Sequence, residues 1–191
     1  MRTRTLQDAE LAALVTAGDA DAFGSLFDRH CRTVYNFCFR RTASWHVAED
    51  LTAVVFLEAW RNRARFAVHE GSALPWLYGI ALNVCRNQWR SSRRRRRAIA
   101  RLPLPEVTPD HADSVAARVD DERRMAVVLD AVAALPDDQR DVVALVVWEG
   151  LDYESAAATL GVPVGTVRSR LSRARACLRS STMACLVGED S

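Results

Sequence analysis

Two stretches of the chain concentrate cationic side chains with no acid among them. Residues 164–181 hold five arginines and residues 85–101 hold eight, in a 191-residue protein of formal net charge +2. The remaining chain therefore carries a compensating acidic excess, and two basic islands in an acidic body point to two polyanion contacts. All 26 basic residues are arginine, so placement, not cation identity, carries the information. On a helix at about 100° per residue, Val167, Leu171, Ala174 and Leu178 share one face. Gly165, Ser169, Ser172, Arg173 and Ala176 lie opposite, flanked by Thr166, Arg168 and Arg179. Small residues let a helix backbone sit deep in a major groove, while arginine and hydroxyl groups reach base edges and phosphates. Thr166 and the free amides at the helix start can bond a phosphate as well. Arg170 and Arg175 fall nearer the apolar side, placed to anchor phosphates or neighbouring helices. The preceding YESAAATL and the turn at Gly161 complete the span of a helix-turn-helix. The alternative is an ordinary amphipathic helix, but a solvated face normally carries acids for i,i+4 pairing. This one has none.

The second island follows LPWLYGIALNVCRNQWR, residues 74–90. Asn83, Arg86, Asn87 and Arg90 share one helical face, which Trp76 and Gly79 extend. Leu77, Ile80, Ala81 and Val84 lie round the other side, and Trp89 reads as a core residue. Amides for base edges, guanidinium groups for phosphates and an aromatic ring for stacking suit single-stranded or partly melted nucleic acid. The run RSSRRRRR (90–97) is by itself a phosphate-attracting segment without specificity.

The elements that must position these faces are helical. Apolar residues recur at helical spacing, strand-like alternation is nearly absent and only eight glycines interrupt the chain, which predicts an all-α fold. Asp19 and Asp21 are N-cap candidates for a helix bearing Phe23, Leu26 and Phe27, and Ser44 for one bearing Ala48, Leu51, Val55, Leu57 and Trp60. Residues 67–73 read as a loop, followed by a helix from Leu74 to about Arg97 with Pro75 in its first turn. Three prolines and scattered acids after that helix read as a linker. Pro136, Gly150, and Gly161 with Pro163 break a second helical region. The expected organisation is two small helical domains, 1–97 and 122–182, joined by a linker at 98–121 and followed by a tail at 183–191.

Other classes of chemistry find little support. No run of 18 apolar residues exists and the first residues lack a signal peptide's apolar core, so a cytoplasmic protein without membrane insertion is expected. Cys31, Cys38, Cys85, Cys177 and Cys185 form no CxxC spacing and read as reduced, mostly packing thiols. His30, Cys31 and Cys38 are the one set that invites a metal, though their spacing matches no standard site. No catalytic triad, carboxylate pair or phosphate-cradling glycine loop is evident, so no catalytic residue, metal or cofactor is expected.

With these residues in view, the chain resembles the extracytoplasmic-function (ECF) sigma factors, a two-domain group of the sigma-70 superfamily of bacterial RNA polymerase initiation subunits. The resemblance rests on GDADAFGSLFDRH, AEDLTAVVFLEAW, LPWLYGIALNVCRNQWR and LPDDQRDVVALVVWEGLDYESAAATLGVPVGTVRSRLSRARACLR, about two thirds of the chain in the family's order. It implies a sigma region 2 and a sigma region 4 on the two expected domains. Asp50, Leu51, Phe56, Leu57 and Trp60 would dock on the clamp helices of the largest β-type subunit of core RNA polymerase, and region 4 on the β flap. The loop at 66–73 and Trp76, Asn83, Arg86, Asn87 and Arg90 would capture the non-template strand of the −10 element as it melts. Gly165, Thr166, Arg168, Ser169, Ser172, Arg173 and Arg179 would read the −35 element as duplex. The linker acids Asp110, Asp113, Asp120 and Asp121 would follow a nucleic-acid-mimicking path, and an inhibitory anti-sigma factor is the further partner implied. Two positions depart from the family pattern. Ala53-Val54 stand where Gln-Glu is usual, which bears on polymerase affinity, and Ser155-Ala156-Ala157 replace Glu-Ile-Ala.

The function expected is promoter-specific initiation in complex with core polymerase, by binding energy alone. A helix-turn-helix regulator that acts without being a polymerase subunit is the rival reading, and a nucleic-acid enzyme with a DNA-binding tail is a second.

Overall fold

The computed structural model describes residues 6–99 and 114–188, and side chains there except at 92, 93, 95–99, 114–117 and 181–188. Asp110, Asp113 and Arg101 lie outside the described residues. Eight helices account for nearly all of the described chain: α1 Asp8–Thr16, α2 Ala20–Thr42, α3 Trp45–Arg61, α4 Leu74–Ile99, α5 Ser114–Ala133, α6 Asp137–Val142, α7 Tyr153–Leu160 and α8 Val164–Gly188. Their starts carry the expected chemistry. Asp19 Oδ1 accepts from the amides of Asp21 and Ala22, each at 2.9 Å, so Asp19 is the cap of α2 and Asp21 an acid in its first turn. Ser44 caps α3 through Val47 N at 3.5 Å, and Asp152 caps α7 through Ser155 N at 2.7 Å.

In the N-terminal unit α2 is the central pillar, with α1, α3 and α4 packed around it. Leu11 and Val15 of α1, Leu26, Val34, Phe37 and Cys38 of α2, Val55 and Ala59 of α3, and Leu77 and Ala81 of α4 are all fully buried. Their three- and four-residue spacing is the apolar stripe read from the sequence. The loop before α4 holds a tight reversal in which His69 and Ser72 exchange both backbone hydrogen bonds, at 3.0 and 2.9 Å. Glu70 and Gly71 between them both have positive φ, +50° and +78°, the geometry of a two-residue hairpin turn.

One carboxylate ties these parts together. Asp8 Oδ1 accepts from Arg29 Nη1 at 2.6 Å, while Oδ2 accepts from His30 Nε2 at 2.8 Å and from the Ala73 amide at 2.7 Å. It thus joins α1, α2 and the residue that leads into α4. His30 turns to Asp8 and Cys38 packs against Cys85 of α4, so the structure does not assemble His30, Cys31 and Cys38 around a metal position. Between the two thiols, the hydrogen bond shared with Cys85, and then burial, push Cys38 well above the ordinary range.

The C-terminal unit closes on Val132, Leu135, Val142–Leu145, Ala156, Ala157, Val167, Leu171 and Ala174, all buried. The segment Val143–Trp148 is a π-helical turn. Asp138 Oδ2 holds Arg170 Nε at 2.9 Å, which fixes α8 on α6. Two expected boundaries shift. The chain is helical from Ser114, so residues 114–121 belong to α5 and not to the linker: no proline or glycine follows Pro109 in that stretch to break a helix. Asp120 and Asp121 are therefore helical acids, paired with Arg123 and Arg124 three residues on, at 3.7 and 3.9 Å. Likewise α8 runs through residue 182 to Gly188, into the expected tail.

Burial alone would raise the Asp8 carboxyl, but the Ala73 amide, Arg29 and His30 outweigh it and hold it below its ordinary value. Burial lowers His30, against the pull of Asp8. A depressed histidine stabilises the fold above its unfolded value of 6.5, and that stability is lost as pH falls toward the folded value. Asp8 adds a second loss below 3.8. The thermal unfolding midpoint should therefore fall as pH drops from 7 to 5 in the native chain, and His30→Gln should flatten that slope. Asp8→Ala should cost about 3 kcal/mol at pH 7, because it strands a buried amide and histidine.

Candidate nucleic-acid interface

The α7–turn–α8 element is built as a reading head. Gly161, φ +64°, ends α7 in the left-handed conformation, and Val162 N returns to Ala157 O at 3.1 Å. That reversal aims α8 away from α7 while Val167, Leu171 and Ala174 seat it on the core. Gly165, Arg168, Ser172, Arg173, Ala176 and Arg179 are exposed, and Thr166 and Ser169 half-exposed. Ser169 Oγ donates to Thr166 O at 3.0 Å and accepts from Arg173 Nη2 at 3.3 Å, so Arg173 is steered across the face. Arg168 lies 5.7 Å over the Tyr153 ring of α7. Arg170 points to the core side, as its position implies, whereas Arg175 is exposed.

On α4, Asn83, Asn87 and Arg90 are exposed. Trp76 instead stacks on Phe66 of the loop before α4, centroids 4.5 Å apart, so its ring already has a partner. Arg86 is not free. Its Nε donates to Asp141 Oδ2 at 2.8 Å and its Nη2 reaches the same oxygen, while Nη1 contacts Asn83 Oδ1 at 3.4 Å. Trp89 is half-buried between the units, under the Arg140 guanidinium at 4.2 Å.

The third set separates into two layers. Leu51 and Phe56 are buried, 7% and 4% exposed, whereas Leu57 is 48% exposed and Asp50 lies on the surface. Phe56 meets Phe23 and Phe27 edge-on at 6.2 and 4.8 Å, and Phe23 meets Trp60 at 5.1 Å. Leu51 and Phe56 therefore cannot offer themselves to a partner as surface residues; they support the faces that Asp50, Leu57 and Trp60 present. Phe27 and Val54, 40% and 41% exposed, extend the apolar patch. Val54 is one of the two positions that depart from the family pattern, and here it adds apolar surface in place of a carboxylate.

Sequence reasoning missed the groups that join the units. Asp141 is fully buried, between Arg41 and Arg86. Glu149 is gripped by Arg40 Nη1 at 2.6 Å and Tyr78 OH at 2.8 Å. Burial first, and then the Glu149 charge, push the Tyr78 phenol far above its ordinary range, so it stays a donor. Thr159 Oγ1 of α7 donates to Pro75 O at 3.2 Å, and Gly79 lies against the Thr159 carbonyl, where an added Cβ would come within 3.4 Å. The available signal was Asp141 at the head of the apolar run VVALVVW: an acid there must be exposed or paired.

The described residues form two helical units, each carrying a cationic helix face, the pattern of a nucleic-acid-binding protein. Family models for sigma-70 region 2 and sigma-70 region 4 match residues 26–95 and 125–178. The chain is 37% identical to the RNA polymerase sigma factor HrpL of Pseudomonas syringae pv. syringae over 75% of its length and 77% of that protein. It is 34% identical to the ECF RNA polymerase sigma factor SigM of Mycobacterium tuberculosis, over 90% and 82%. Its fold resembles CnrH in complex with the cytosolic domain of CnrY, with TM-score 0.64, 26% identity and 96% and 99% coverage. The sigma factor RpoE of Bartonella quintana, bound to the anti-sigma factor NepR, aligns with TM-score 0.56 at 25% identity over 83% and 94%. The chain belongs to the ECF group of RNA polymerase sigma factors. It is an alternative sigma factor, a subunit that joins core RNA polymerase and directs promoter-specific initiation, and not a free-standing regulator.

Two glycines separate architecture from contact. Gly161→Ala should lower the unfolding free energy by about 1 kcal/mol, because the left-handed conformation penalises a Cβ. Gly165 has open space around it, so Gly165→Ala should leave stability unchanged or raise it by up to about 1 kcal/mol in a thermal melt.

Proposed function

We propose that promoter reading is divided between the two units, with each face described above carrying one part. In this reading Gly165, Thr166, Arg168, Ser169, Ser172, Arg173 and Arg179 of α8 enter the major groove of the −35 element. Arg173 and the serines contact base edges, and Arg168 and Arg179 contact flanking phosphates. The observation that carries the reading is the composition of that face: small residues and arginines, exposed, with no acid to pair them locally.

The loop at 66–73 and α4 hold the melted −10 strand. Asn83 and Asn87 offer amides to base edges, Arg86 and Arg90 hold phosphates, and the Phe66–Trp76 stack supplies an aromatic platform. Strand capture offsets part of the cost of unpairing, and the linker makes the second contact intramolecular once the first has formed. Asp50, Leu57 and Trp60, supported from beneath by Leu51 and Phe56, dock on the polymerase clamp helices, and region 4 docks on the β flap. The domain division is residues 1–97 and 122–182, with residues 114–121 as the helical approach to region 4. The protein works in the cytoplasm, contributes binding energy rather than a catalytic group, and is held inactive by an anti-sigma protein. The relatives solved with CnrY and NepR support that last point.

Transcription by core RNA polymerase on fragmented genomic DNA, with and without this protein, should reveal new start sites; none would sink the reading. On a promoter so recovered, Arg173→Ala should weaken duplex −35 binding about tenfold or more. Asn83→Ala should leave that binding intact and reduce the permanganate reactivity of unpaired −10 thymines. Gly165→Ala should weaken −35 binding despite its stability.

A further inference from the structure

The contacts between the two units are lopsided in charge. Besides the Thr159 hydroxyl on the Pro75 carbonyl and the Trp45 amide on Glu122, four donor side chains of the N-terminal unit cross to the other: Arg40 and Arg41 of α2 and Tyr78 and Arg86 of α4. They converge on two carboxylates of the C-terminal unit, Asp141 and Glu149. Each carboxylate is held at both oxygens, one by α2 and the other by α4: Asp141 Oδ1 by Arg41 Nη2 at 2.7 Å and Oδ2 by Arg86, Glu149 Oε1 by Arg40 and Oε2 by Tyr78. Arg40 Nη1 also reaches the Trp148 carbonyl at 3.0 Å, and Arg41 Nη1 the Arg140 carbonyl at 3.4 Å. Asp141 is fully buried, and the Glu149 side chain is 6% exposed.

Two guanidinium groups converging on the two oxygens of one anion is the geometry by which arginine holds a carboxylate or a phosphate alike. When the C-terminal unit leaves, three arginines of α2 and α4 remain with no acid of their own unit recorded on them. Arg86 contacts Asn83 and lies on the α4 face assigned above to the melted strand, Arg41 meets Arg86 across Asp141, and Arg40 is the next residue of α2. We infer that Arg40, Arg41 and Arg86 form a phosphodiester-binding site for that strand, which Asp141 and Glu149 close in the free chain. The inference rests on the strand-capture reading of α4 and adds to it two residues of α2 and a masking device.

The energetics suit an exchange. A buried ion pair adds little net stability over its desolvation cost, but stranding one partner is expensive. The closed form therefore persists until another anion replaces the carboxylates, and a phosphate does so without leaving an arginine bare. Polymerase, by holding region 4 elsewhere, removes the competitor. Thr159 on the Pro75 carbonyl and Gly79 against α7 show that the same closure covers the start of α4. Masking and grip are thus two states of the same arginines.

The test uses the full chain. Asp141→Asn with Glu149→Gln keeps shape and removes both charges. It should increase the distance between dyes placed on the two units and tighten binding of a fluorescein-labelled random 12-nucleotide single-stranded DNA about tenfold. The logarithmic salt slope should steepen by about 0.7 per phosphate gained. Adding Arg40→Gln and Arg41→Gln should abolish the gain. A gain that survives those two changes, an opened chain with no gain, or a chain that stays closed would each overturn the proposal. In the holoenzyme, where folding of each variant is checked by circular dichroism, Arg40→Gln with Arg41→Gln should reduce −10 permanganate reactivity. A purely structural role would leave it unchanged and so refute the site. Asn83→Ala is the control: if it impairs opening while the arginine pair does not, only this inference fails, and if neither does, the strand-capture reading fails with it.

Discussion

A carboxylate with no exposure to water must be neutralised where it sits, and Asp141 is neutralised from across the chain. Arg41 comes from the end of α2 and Arg86 from the middle of α4, so the charge at the head of α6 is satisfied only when the C-terminal unit lies on the N-terminal one. Much else in the arrangement of the two units follows. The π-helical turn after α6 ends at Trp148, whose carbonyl, together with Glu149, reaches Arg40. Arg140 comes to rest over Trp89. α7 is left against Pro75 and Gly79. An apolar interface of the same extent would hold more indiscriminately; an ionic one depends on which anion is available.

Within the units the logic is more ordinary. Each helix buries one stripe and begins at a residue that answers its first amides. The turn between α7 and α8 works because a glycine takes a conformation other residues resist. Asp8 plays in the N-terminal unit the part that Asp141 plays between units. It gathers Arg29, His30 and the Ala73 amide, and so fixes the entry to α4 relative to α1 and α2. The loop assigned to strand capture is therefore set by a buried charge on α1.

The proposed division of promoter reading bears on how the charge is distributed. The α8 face is exposed and ready. The α4 face is divided, with Asn83, Asn87 and Arg90 open to solvent and Arg86 engaged. A nearly neutral chain with strongly basic islands has the acids with which to cover its own cationic surface, and two of them do so at the boundary between the units.

Periodicity, caps and breakers were legible in the sequence because they act over a few residues. The all-α class, the two helical regions, the helix-turn-helix and the exposed side of α8 all follow from the 3.6-residue repeat and from Asp19, Ser44 and Gly161. The start of α5 at Ser114 was not read, since acids and prolines just upstream gave the whole stretch the look of a linker. Nor could a linear pattern show that Phe56 lies beneath the surface while Leu57 stands on it, because α2 supplies the phenylalanines that pack on Phe56. Asp141 and Arg86 are 55 residues apart, and Asp141 and Arg41 are 100 apart. No local rule pairs such groups. What the sequence determined by itself was which faces are apolar and which are cationic, since that is a property of each helix alone. Which cations stay open to a nucleic acid and which are filled by the chain's own acids was decided only by tertiary structure, because burial of a charge is settled by whatever packs on top of it.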